Sequence, residues 1–371
     1  MDETTRKILL AVVVVAVIGA IVFLENPFQQ NETVLPEVED GSENAAEESS
    51  YPVAPEIIGI HSWINSQELK LADLRGKVVL VDFWTYSCVN CLRTLPHLRE
   101  WNEKYSGLGF VLIGVHSPEF NFEKELANVQ QAVNDNGIEY AVALDNDMKT
   151  WRNYKNRFWP AKYLIDANGR IRYTHFGEGA YAETEKQIQL LLEEARAEEI
   201  DIEIVEEEES GGGAGIFRTP ELYAGYAFGS YLGNSEGYAQ DAAKSFTAPA
   251  ELADGKIYLN GEWFNSSEHV RHARKTQNLE DFIAIKYLAS EVNAVLQAGP
   301  EPYKVYVMLD GKDLKERYAG SDIMWDDDGN AFVVVDKDRL YNIIDGPLGI
   351  RELRLSSDSD EFTLYTFTFG G

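Results

Sequence analysis

The sequence predicts a single N-terminal transmembrane helix and two domains after it. The first is an α/β domain with a mixed sheet, and the second is an all-β domain of the jelly-roll or β-sandwich type. Three observations lead to this prediction. A long apolar run lies near the N-terminus, strand-like and helix-like segments alternate through the first half of the chain, and short alternating strands fill the second half. At 371 residues, the chain is long enough for two domains of ordinary size.

The first predicted element is an uncharged, almost wholly apolar run at residues 8–24. Its 17 residues are at the short end of what crosses a bilayer, roughly 17–25. A cleaved signal peptide is the alternative, but the run is followed by no small-residue cleavage site. Arg6 and Lys7 precede the run and the next basic residue is Lys70, so the positive-inside rule places the N-terminus in the cytoplasm. We therefore predict a single-pass protein of the cell membrane with its later domains outside the cytoplasm.

Composition gives the remaining boundaries. Residues 1–26 form the cytoplasmic stub and anchor, and residues 27–53 form an acidic, disordered tether without apolar periodicity. The α/β domain is assigned to residues 54–199, the acidic glycine-rich linker to 200–215, and the all-β domain to 216–371. The net charge of −29 excludes nucleic acid as a partner, because such binding needs basic patches.

Within the first domain, strand and helix signals alternate and end in a hairpin and a helix, which is the order expected for a mixed sheet covered by helices. The segments in chain order are a strand at 76–84, a helix at 92–105, a strand at 110–117, a helix at 122–136, a hairpin at 161–179 and an amphipathic helix from 182.

The second domain has at least six short strands rich in Tyr, Phe, Val and Ile. Turn signals at Asn260-Gly261, Asp310-Gly311 and Asp328-Gly329 separate them, which is typical of an antiparallel sandwich. Its aromatic side chains could form a platform for a glycan, but core or interdomain packing explains them without a ligand and is the favoured interpretation. They are Tyr223, Tyr226, Phe228, Tyr231, Trp263 and Trp325.

Both cysteines of the chain, Cys88 and Cys91, lie in the segment FWTYSCVNC. A structural disulfide across Cys-x-x-Cys closes too small a loop to constrain much of the unfolded chain. A metal site needs two further ligands, and the sequence has no second cysteine pair and no histidine at ligand spacing from the motif. A redox pair that needs no metal and no organic cofactor is therefore the favoured interpretation.

The order of the two cysteines predicts their roles. Cys88 follows a buried strand at the point where a helix begins, so its sulfur faces unsatisfied N–H groups that favour the thiolate. Cys91 lies one turn further along and can attack the mixed disulfide that Cys88 forms with a substrate. Cys88 is the predicted nucleophile and Cys91 the predicted resolving thiol of a redox-active Cys88–Cys91 disulfide.

The segment VVLVDFWTYSCVNCLRTLP resembles the active-site segment of the thioredoxin superfamily, and APEIIG followed by LADLRGKVVLVDFW is similar to the beginning of its TlpA/redoxin branch. Together, WTYSCVNC, HSPEF, WPAKYLID and YTHFGEG are similar to the soluble part of DipZ-type proteins. In that family a redoxin domain precedes a β-sandwich that resembles carbohydrate-binding modules. The resemblance covers residues 54–371 and implies a thioredoxin-like fold.

The resemblance also implies roles for single residues. Asp82 matches the buried carboxylate that relays the proton of the resolving thiol, and Pro96 matches the proline that kinks the active-site helix. Trp159 and Pro160 match the cis-proline loop that binds substrate backbone. Because this chain has one predicted span, the resemblance implies that its electrons come from a separate membrane thiol donor of the CcdA/DsbD type.

The residues around these positions give further candidates. Asp82 lies in an apolar strand, where desolvation should raise its pKa and suit it to proton transfer. Trp84 and Tyr86 flank the thiols and are candidates for substrate contact or for packing. His116 and Glu119 follow a second strand at its active-site end, where they would touch substrate or simply be solvated.

We therefore predict a membrane-anchored, extracytoplasmic thiol-disulfide oxidoreductase that reduces cysteine-containing exported proteins. One alternative is a thiol peroxidase, which Thr85 favours and Val81 disfavours because a proline is expected there. Another is an envelope adaptor whose second domain binds glycan. The sequence leaves open whether the pair reduces, oxidises or isomerises its substrates.

Overall fold

The structure is a computed structural model that describes residues 50–204, 218–229 and 231–370. The predicted membrane span and most of the predicted tether and linker lie outside these residues. Within them, no helix is both long enough and apolar enough to cross a membrane.

The first domain is a six-stranded mixed sheet in the order β1-β4-β3-β2-β5-β6, with β2, β3 and β4 parallel. β2 is buried at all seven positions, as expected for a central strand with helices over its faces. The strands are β1 (Trp63–Ile64), β2 (Val78–Trp84), β3 (Phe110–His116), β4 (Ala141–Leu144), β5 (Ala161–Ile165) and β6 (Ile171–Phe176). The helices are α1 (Val89–Tyr105), α2 (Leu126–Asp135), α3 (Lys149–Asn153) and α4 (Tyr181–Arg196).

Two apolar clusters cover the two faces of this sheet. One joins alternate residues of β2 to α1, α2 and α4, and the other joins the remaining residues of β2 to α3 and the chain before β2. Because alternate residues of β2 pack into different apolar clusters, the strand is one continuous apolar run in the sequence.

One predicted helix differs from the structure. The sequence predicts a helix over residues 122–136, but a 3-10 turn at Asn121–Lys124 comes first and α2 begins at Leu126. Glu125 has extended backbone angles that interrupt the helix, and the preceding Glu123 side chain is fully buried. The interruption points that carboxylate inward, toward the segment that precedes Cys88.

The second domain is built from antiparallel strands that are hydrogen-bonded into one eleven-stranded sheet. β11 pairs through its first residues with β9 and through its last residues with β17, so the sheet folds back on itself. The strands are β7 (Leu222–Tyr223), β8 (Ala242–Phe246), β9 (Ile257–Asn265), β10 (Val270–His272), β11 (Phe282–Gln297), β12 (Tyr303–Leu309), β13 (Lys312–Asp313), β14 (Met324–Trp325), β15 (Ala331–Val335), β16 (Arg339–Ser356) and β17 (Thr363–Gly370). The all-β prediction is confirmed, whereas the jelly-roll or sandwich assignment stays a prediction.

The predicted turn at Asn260-Gly261 is wrong, because β9 continues through it. Gly261 has a φ of +94°, and a Cβ there would lie 2.0 Å from the Asp281 carboxylate. Glycine is therefore needed inside this strand because Asp281 packs against its backbone. The other two predicted turns lie between β12 and β13 and between β14 and β15.

The two domains share a core. Val295 and Tyr365 of the second domain are buried in the apolar cluster of the first, and Leu340 packs against it. The Tyr365 ring lies 4.9 Å from Phe120 and 4.7 Å from Phe122, centroid to centroid. The second domain therefore packs directly beside the segment that carries the cysteines.

Candidate active site

Cys88 lies at the junction predicted from the sequence. It is the N-cap residue of α1, and its sulfur accepts a hydrogen bond from the Cys91 backbone N–H at 3.4 Å. Both cysteines are free thiols, and Cys88 is partly exposed. The sulfur thus lies against the N–H groups of the first helical turn, where negative charge is favoured.

Cys91 is buried beneath Cys88, with 1% of its surface exposed. Burial raises the pKa of its thiol well above the usual value, and the hydrogen bond with Cys88 adds to this effect. A thiol in this position stays protonated until a base accepts its proton.

The Trp159–Pro160 peptide bond is cis, as the resemblance implied. The Trp159 carbonyl oxygen lies 4.0 Å from the Cys88 sulfur. The Trp159 indole N–H donates to the Ser117 carbonyl at 3.0 Å, and this bond ties the loop to the segment that follows β3. The loop therefore faces the exposed thiol.

Asp82 is in the middle of β2 and 1% exposed. Burial raises the pKa of its carboxyl to about 7, and the charge of Lys162 opposes that rise. The prediction of a raised pKa is confirmed. Among the described residues, neither carboxylate oxygen has a hydrogen-bond partner. Asp82 also contributes to the raised pKa of Cys91, as expected for a group close to that thiol.

Lys162 was not singled out by the sequence analysis. It stands opposite Asp82 in the antiparallel β2–β5 pair and is fully buried. Burial lowers the pKa of its ammonium group, and the charge of Asp82 acts against this. A lysine inside the apolar run AKYLI was the signal available, by the same reasoning that selected Asp82.

A second buried carboxylate supports the segment before Cys88. Glu123 accepts hydrogen bonds from the Thr85 hydroxyl at 2.6 Å and the Ser87 hydroxyl at 2.5 Å. Its other oxygen accepts from the backbone N–H groups of Glu119 at 2.6 Å and Phe120 at 2.9 Å. Burial raises the pKa of Glu123 and these bonds oppose the rise. The sequence analysis missed this residue because the two hydroxyl groups that donate to it are 36 and 38 residues away.

The structure corrects two of the candidates near the thiols. Trp84 is completely buried in the core, so it offers no surface to a substrate. His116 is also completely buried, with its ring stacked on Tyr86 at 5.5 Å, and burial lowers its pKa to about 3. His116 is therefore a neutral packing residue, neither solvated nor in contact with substrate. Tyr86 is 4% exposed and lines a cleft beside the second domain.

Glu119 joins the two domains instead of facing a substrate. Its carboxylate accepts a hydrogen bond of 2.6 Å from the Tyr223 hydroxyl, which lies 3.0 Å from Glu221. Burial raises the pKa of Glu119 to about 8, and the neighbouring Glu221 adds to the rise.

The aromatic residues of the second domain are mostly packing residues. Trp263 is completely buried, and Phe228 lies 5.7 Å from Phe120 of the first domain. Trp325 is 40% exposed and remains available on the surface. Packing thus accounts for most of the aromatic side chains that suggested a glycan platform.

Comparison with known protein families agrees with this geometry. The AhpC/TSA family model matches residues 59–174, and the model described as "Thioredoxin like C-terminal domain" matches residues 219–370. The chain thus carries an AhpC/TSA-type redoxin domain followed by a thioredoxin-like C-terminal domain. Its redoxin domain carries the cysteines, and its C-terminal domain is the all-β unit.

Relatives support the same assignment, and the resemblance to DipZ-type proteins is confirmed. Protein DipZ of Mycobacterium tuberculosis is 40% identical over 228 residues, which are 60% of this chain and 32% of DipZ. The thiol-disulfide oxidoreductase YkuV of Bacillus subtilis is 24% identical over 38% of this chain and 94% of its own length. The match to DipZ thus spans about a third of that protein's length.

Among solved structures, a thiol-disulfide isomerase from Corynebacterium glutamicum is similar to this chain. It is 24% identical, with a TM-score of 0.35, over 39% of this chain and 97% of its own.

Proposed function

We propose that this chain is a thiol-disulfide oxidoreductase that reduces disulfide bonds in proteins. One arrangement carries the proposal. The partly exposed Cys88 sulfur caps a helix, the buried Cys91 thiol lies behind it, and the buried Asp82 carboxyl acts on Cys91. This is the order of groups that a two-step thiol exchange needs.

In the first step the Cys88 thiolate attacks one sulfur of a substrate disulfide. A bond forms between Cys88 and that sulfur, and the second substrate sulfur leaves with the electron pair of the broken bond and takes a proton from water. The N–H groups at the start of α1 stabilise the Cys88 thiolate before the attack.

In the second step Asp82 accepts the proton of Cys91. The Cys91 sulfur then attacks Cys88, which releases the remaining substrate sulfur as a thiolate. The product is a Cys88–Cys91 disulfide and a substrate reduced by two electrons. An Asp82 pKa of about 7 suits this transfer, because the carboxyl is half ionised near neutral pH.

Trp159 and Pro160 belong to the binding part of the mechanism. The carbonyl oxygen of Trp159 is 4.0 Å from the Cys88 sulfur, so a substrate segment that reaches this thiol passes along the loop. We propose that the loop docks the substrate backbone on one side of the thiol.

The cellular setting is part of the proposal. The apolar run at residues 8–24 supports a single-pass membrane anchor with the catalytic domain outside the cytoplasm. Exported proteins with cysteines would be the substrates, and a membrane thiol donor of the CcdA/DsbD type would restore the dithiol. In this proposal residues 54–199 form the redoxin domain and residues 216–371 form a β-sandwich. Glycan binding by the β-sandwich is a hypothesis to be tested.

A trapping experiment tests the two roles. In a Cys91→Ser variant the second step is blocked, so Cys88 should accumulate mixed disulfides with oxidised substrate proteins. The matched Cys88→Ser variant should accumulate none. Equal trapping by both variants, or trapping by the Cys88→Ser variant alone, would refute the assignment.

The direction of electron flow is tested by the reduction potential of the pair, equilibrated against thiol buffers. A potential near about −270 mV, the value for thioredoxin, supports a reductase. A potential near about −120 mV, the value for a strong oxidant, would make the chain a disulfide donor instead.

The thiol-peroxidase alternative depends on Thr85. Its hydroxyl donates to the buried Glu123 carboxylate at 2.6 Å, which favours a supporting role in this segment over contact with a peroxide at Cys88. Peroxide consumption that persists in the Cys91→Ser variant would support the alternative.

A further inference from the structure

A cleft of about 520 Å³ lies between the two domains beside the cysteine motif. The redoxin domain contributes Tyr86 and Leu92, which flank the motif, and residues of α2. The C-terminal domain contributes the turn between β15 and β16 and the start of β16, including Leu340. A molecule in this cleft would therefore touch both domains at once.

The apolar part of the cleft is continuous with the reactive segment. Leu92 directly follows Cys91, and Leu340 packs against the apolar cluster that contains Cys91 and Tyr86. Leu340 and Leu92 are both partly exposed. The cleft thus begins at the first turn of α1, the helix that Cys88 caps.

The charges around the cleft do not cancel. Lys337 is paired with Asp135 at 2.7 Å, and Arg339 is paired with Asp322 at 2.8 Å. Asp336 and Asp338 also line the cleft, and neither has a basic partner within ion-pair distance among the described residues. The lining thus carries four carboxylates and two cations, an excess of two negative charges.

Asp338 is partly buried, whereas Asp336 is exposed. Asp338 accepts hydrogen bonds from the Ala298 backbone N–H at 2.8 Å and the Asn128 side-chain amide at 3.0 Å. Burial raises its pKa, as expected for a carboxylate with neutral partners only. A cation brought into the cleft would offset the cost of this half-buried charge.

Tyr86 forms part of the cleft wall. The residue is 4% exposed and lines the cleft, and its hydroxyl oxygen is buried. The hydroxyl is therefore out of reach of an occupant, and Tyr86 contributes packing to the wall beside Leu92 and Leu340.

We propose that this interdomain cleft binds the polypeptide segment next to the substrate's reactive cysteine and selects segments that carry lysine or arginine. The inference rests on the proposed function, because it concerns the substrate of the same thiol pair. It gives the C-terminal domain a role in substrate choice. The excess of two carboxylates favours basic segments, and the apolar side chains hold their aliphatic stems.

The test uses the full reduced chain and three synthetic peptides. Each peptide carries one cysteine as a mixed disulfide with thionitrobenzoate, flanked by lysine, serine or glutamate. The Cys88 thiolate attacks the peptide sulfur, a Cys88–peptide disulfide forms, and thionitrobenzoate leaves with the electron pair. Its absorbance gives the rate constant for each peptide.

We expect the lysine peptide to react roughly tenfold faster than the glutamate peptide at low salt. In an Asp336→Asn/Asp338→Asn variant this ratio should fall at least threefold. The matched control is Asp327→Asn/Asp328→Asn, which removes two charges at the opposite end of β15 and should leave the ratio unchanged.

A single variant guards against a loss of folding. Asp336 is exposed, so Asp336→Asn should lower the lysine-to-glutamate ratio without affecting the unfolding temperature.

The outcomes separate the two proposals. An unchanged ratio in the cleft variant, or an equal fall in the control, overturns the cleft while the oxidoreductase function stands. If no peptide reacts in a Cys88-dependent manner, the proposed function itself fails.

Discussion

Replacement of Asp82 with asparagine should stabilise the protein above neutral pH and slow its second chemical step. Asparagine has nearly the same shape and cannot ionise. In the native protein the Asp82 carboxyl is 1% exposed, and its oxygens have no hydrogen-bond partner among the described residues. Its charged form is therefore poorly solvated, and only Lys162 acts against that cost.

The pKa gives the size of the effect. Burial raises it from 3.8 to about 7, with the charge of Lys162 opposing the rise. A rise of about 3 units costs the charged native state about 4 kcal/mol relative to the unfolded chain. Because the folded pKa is the higher one, Asp82 costs no stability below pH 3.8, and the penalty grows until the pH passes about 7.

The measurement is the free energy of urea unfolding for the native chain and the Asp82→Asn variant, both reduced, at pH 4 and pH 8. The difference between variant and native chain should shift in favour of the variant by about 3–4 kcal/mol between the two pH values. The same comparison in a Lys162→Met background removes the titration of the neighbouring ammonium group. A difference that does not change with pH in either background would refute the reasoning.

The same variant has a kinetic consequence. Without the carboxylate, the proton of Cys91 has no buried acceptor, and resolution of the mixed disulfide should slow by about 100-fold near pH 7. Single-turnover release of a substrate thiol measures this step. An equal slowing of the first step, which does not involve Asp82, would contradict the assigned role.

Three further changes test the supporting structure. Glu119→Gln should raise stability at pH 8.5 and leave it unchanged at pH 4. The native carboxyl has a pKa of about 8, so the free-energy cost of burying its charge grows from pH 4.5 upward. Urea unfolding at both pH values measures this, and equal effects at the two pH values would contradict it. Glu123→Gln should destabilise the protein by about 1–3 kcal/mol, because an amide cannot accept all four of the hydrogen bonds that converge there. Thermal unfolding measures this, and an unchanged midpoint would contradict the prediction. Phe120→Ala should cost about 3–5 kcal/mol of unfolding free energy and open the domain junction to proteolysis. Phe158→Ala removes a half-exposed ring and should have neither effect.

Local sequence signals were sufficient for the central part of the site. β2 is an apolar, β-branched run, the helix after it has leucines at helical spacing, and Cys88 stands between them. Each of these signals depends on a few neighbouring residues, so it can be recognised without knowledge of the fold. The charge of Asp82 inside an apolar strand was similarly visible, because a buried carboxylate is costly wherever the strand lies.

Other residues could not be assigned in this way. Trp84 lies beside the motif in sequence, yet its side chain points into the core, and sequence distance says nothing about that. Lys162 is 80 residues from Asp82 and meets it only because β5 runs antiparallel to β2 in the observed register. The register depends on the whole sheet, since a shift by one residue would move Lys162 to the opposite face.

The sequence by itself determined a cysteine pair at the start of a helix, an α/β domain followed by an all-β domain, and a carboxyl group buried in the strand before the pair. Only the tertiary structure decided that the two domains share a core and that a cleft with an excess of two carboxylates opens beside the thiols. The reason is physical. Helix caps and apolar periodicity are local properties of a chain, whereas packing between domains and charge compensation depend on which distant side chains the fold brings together.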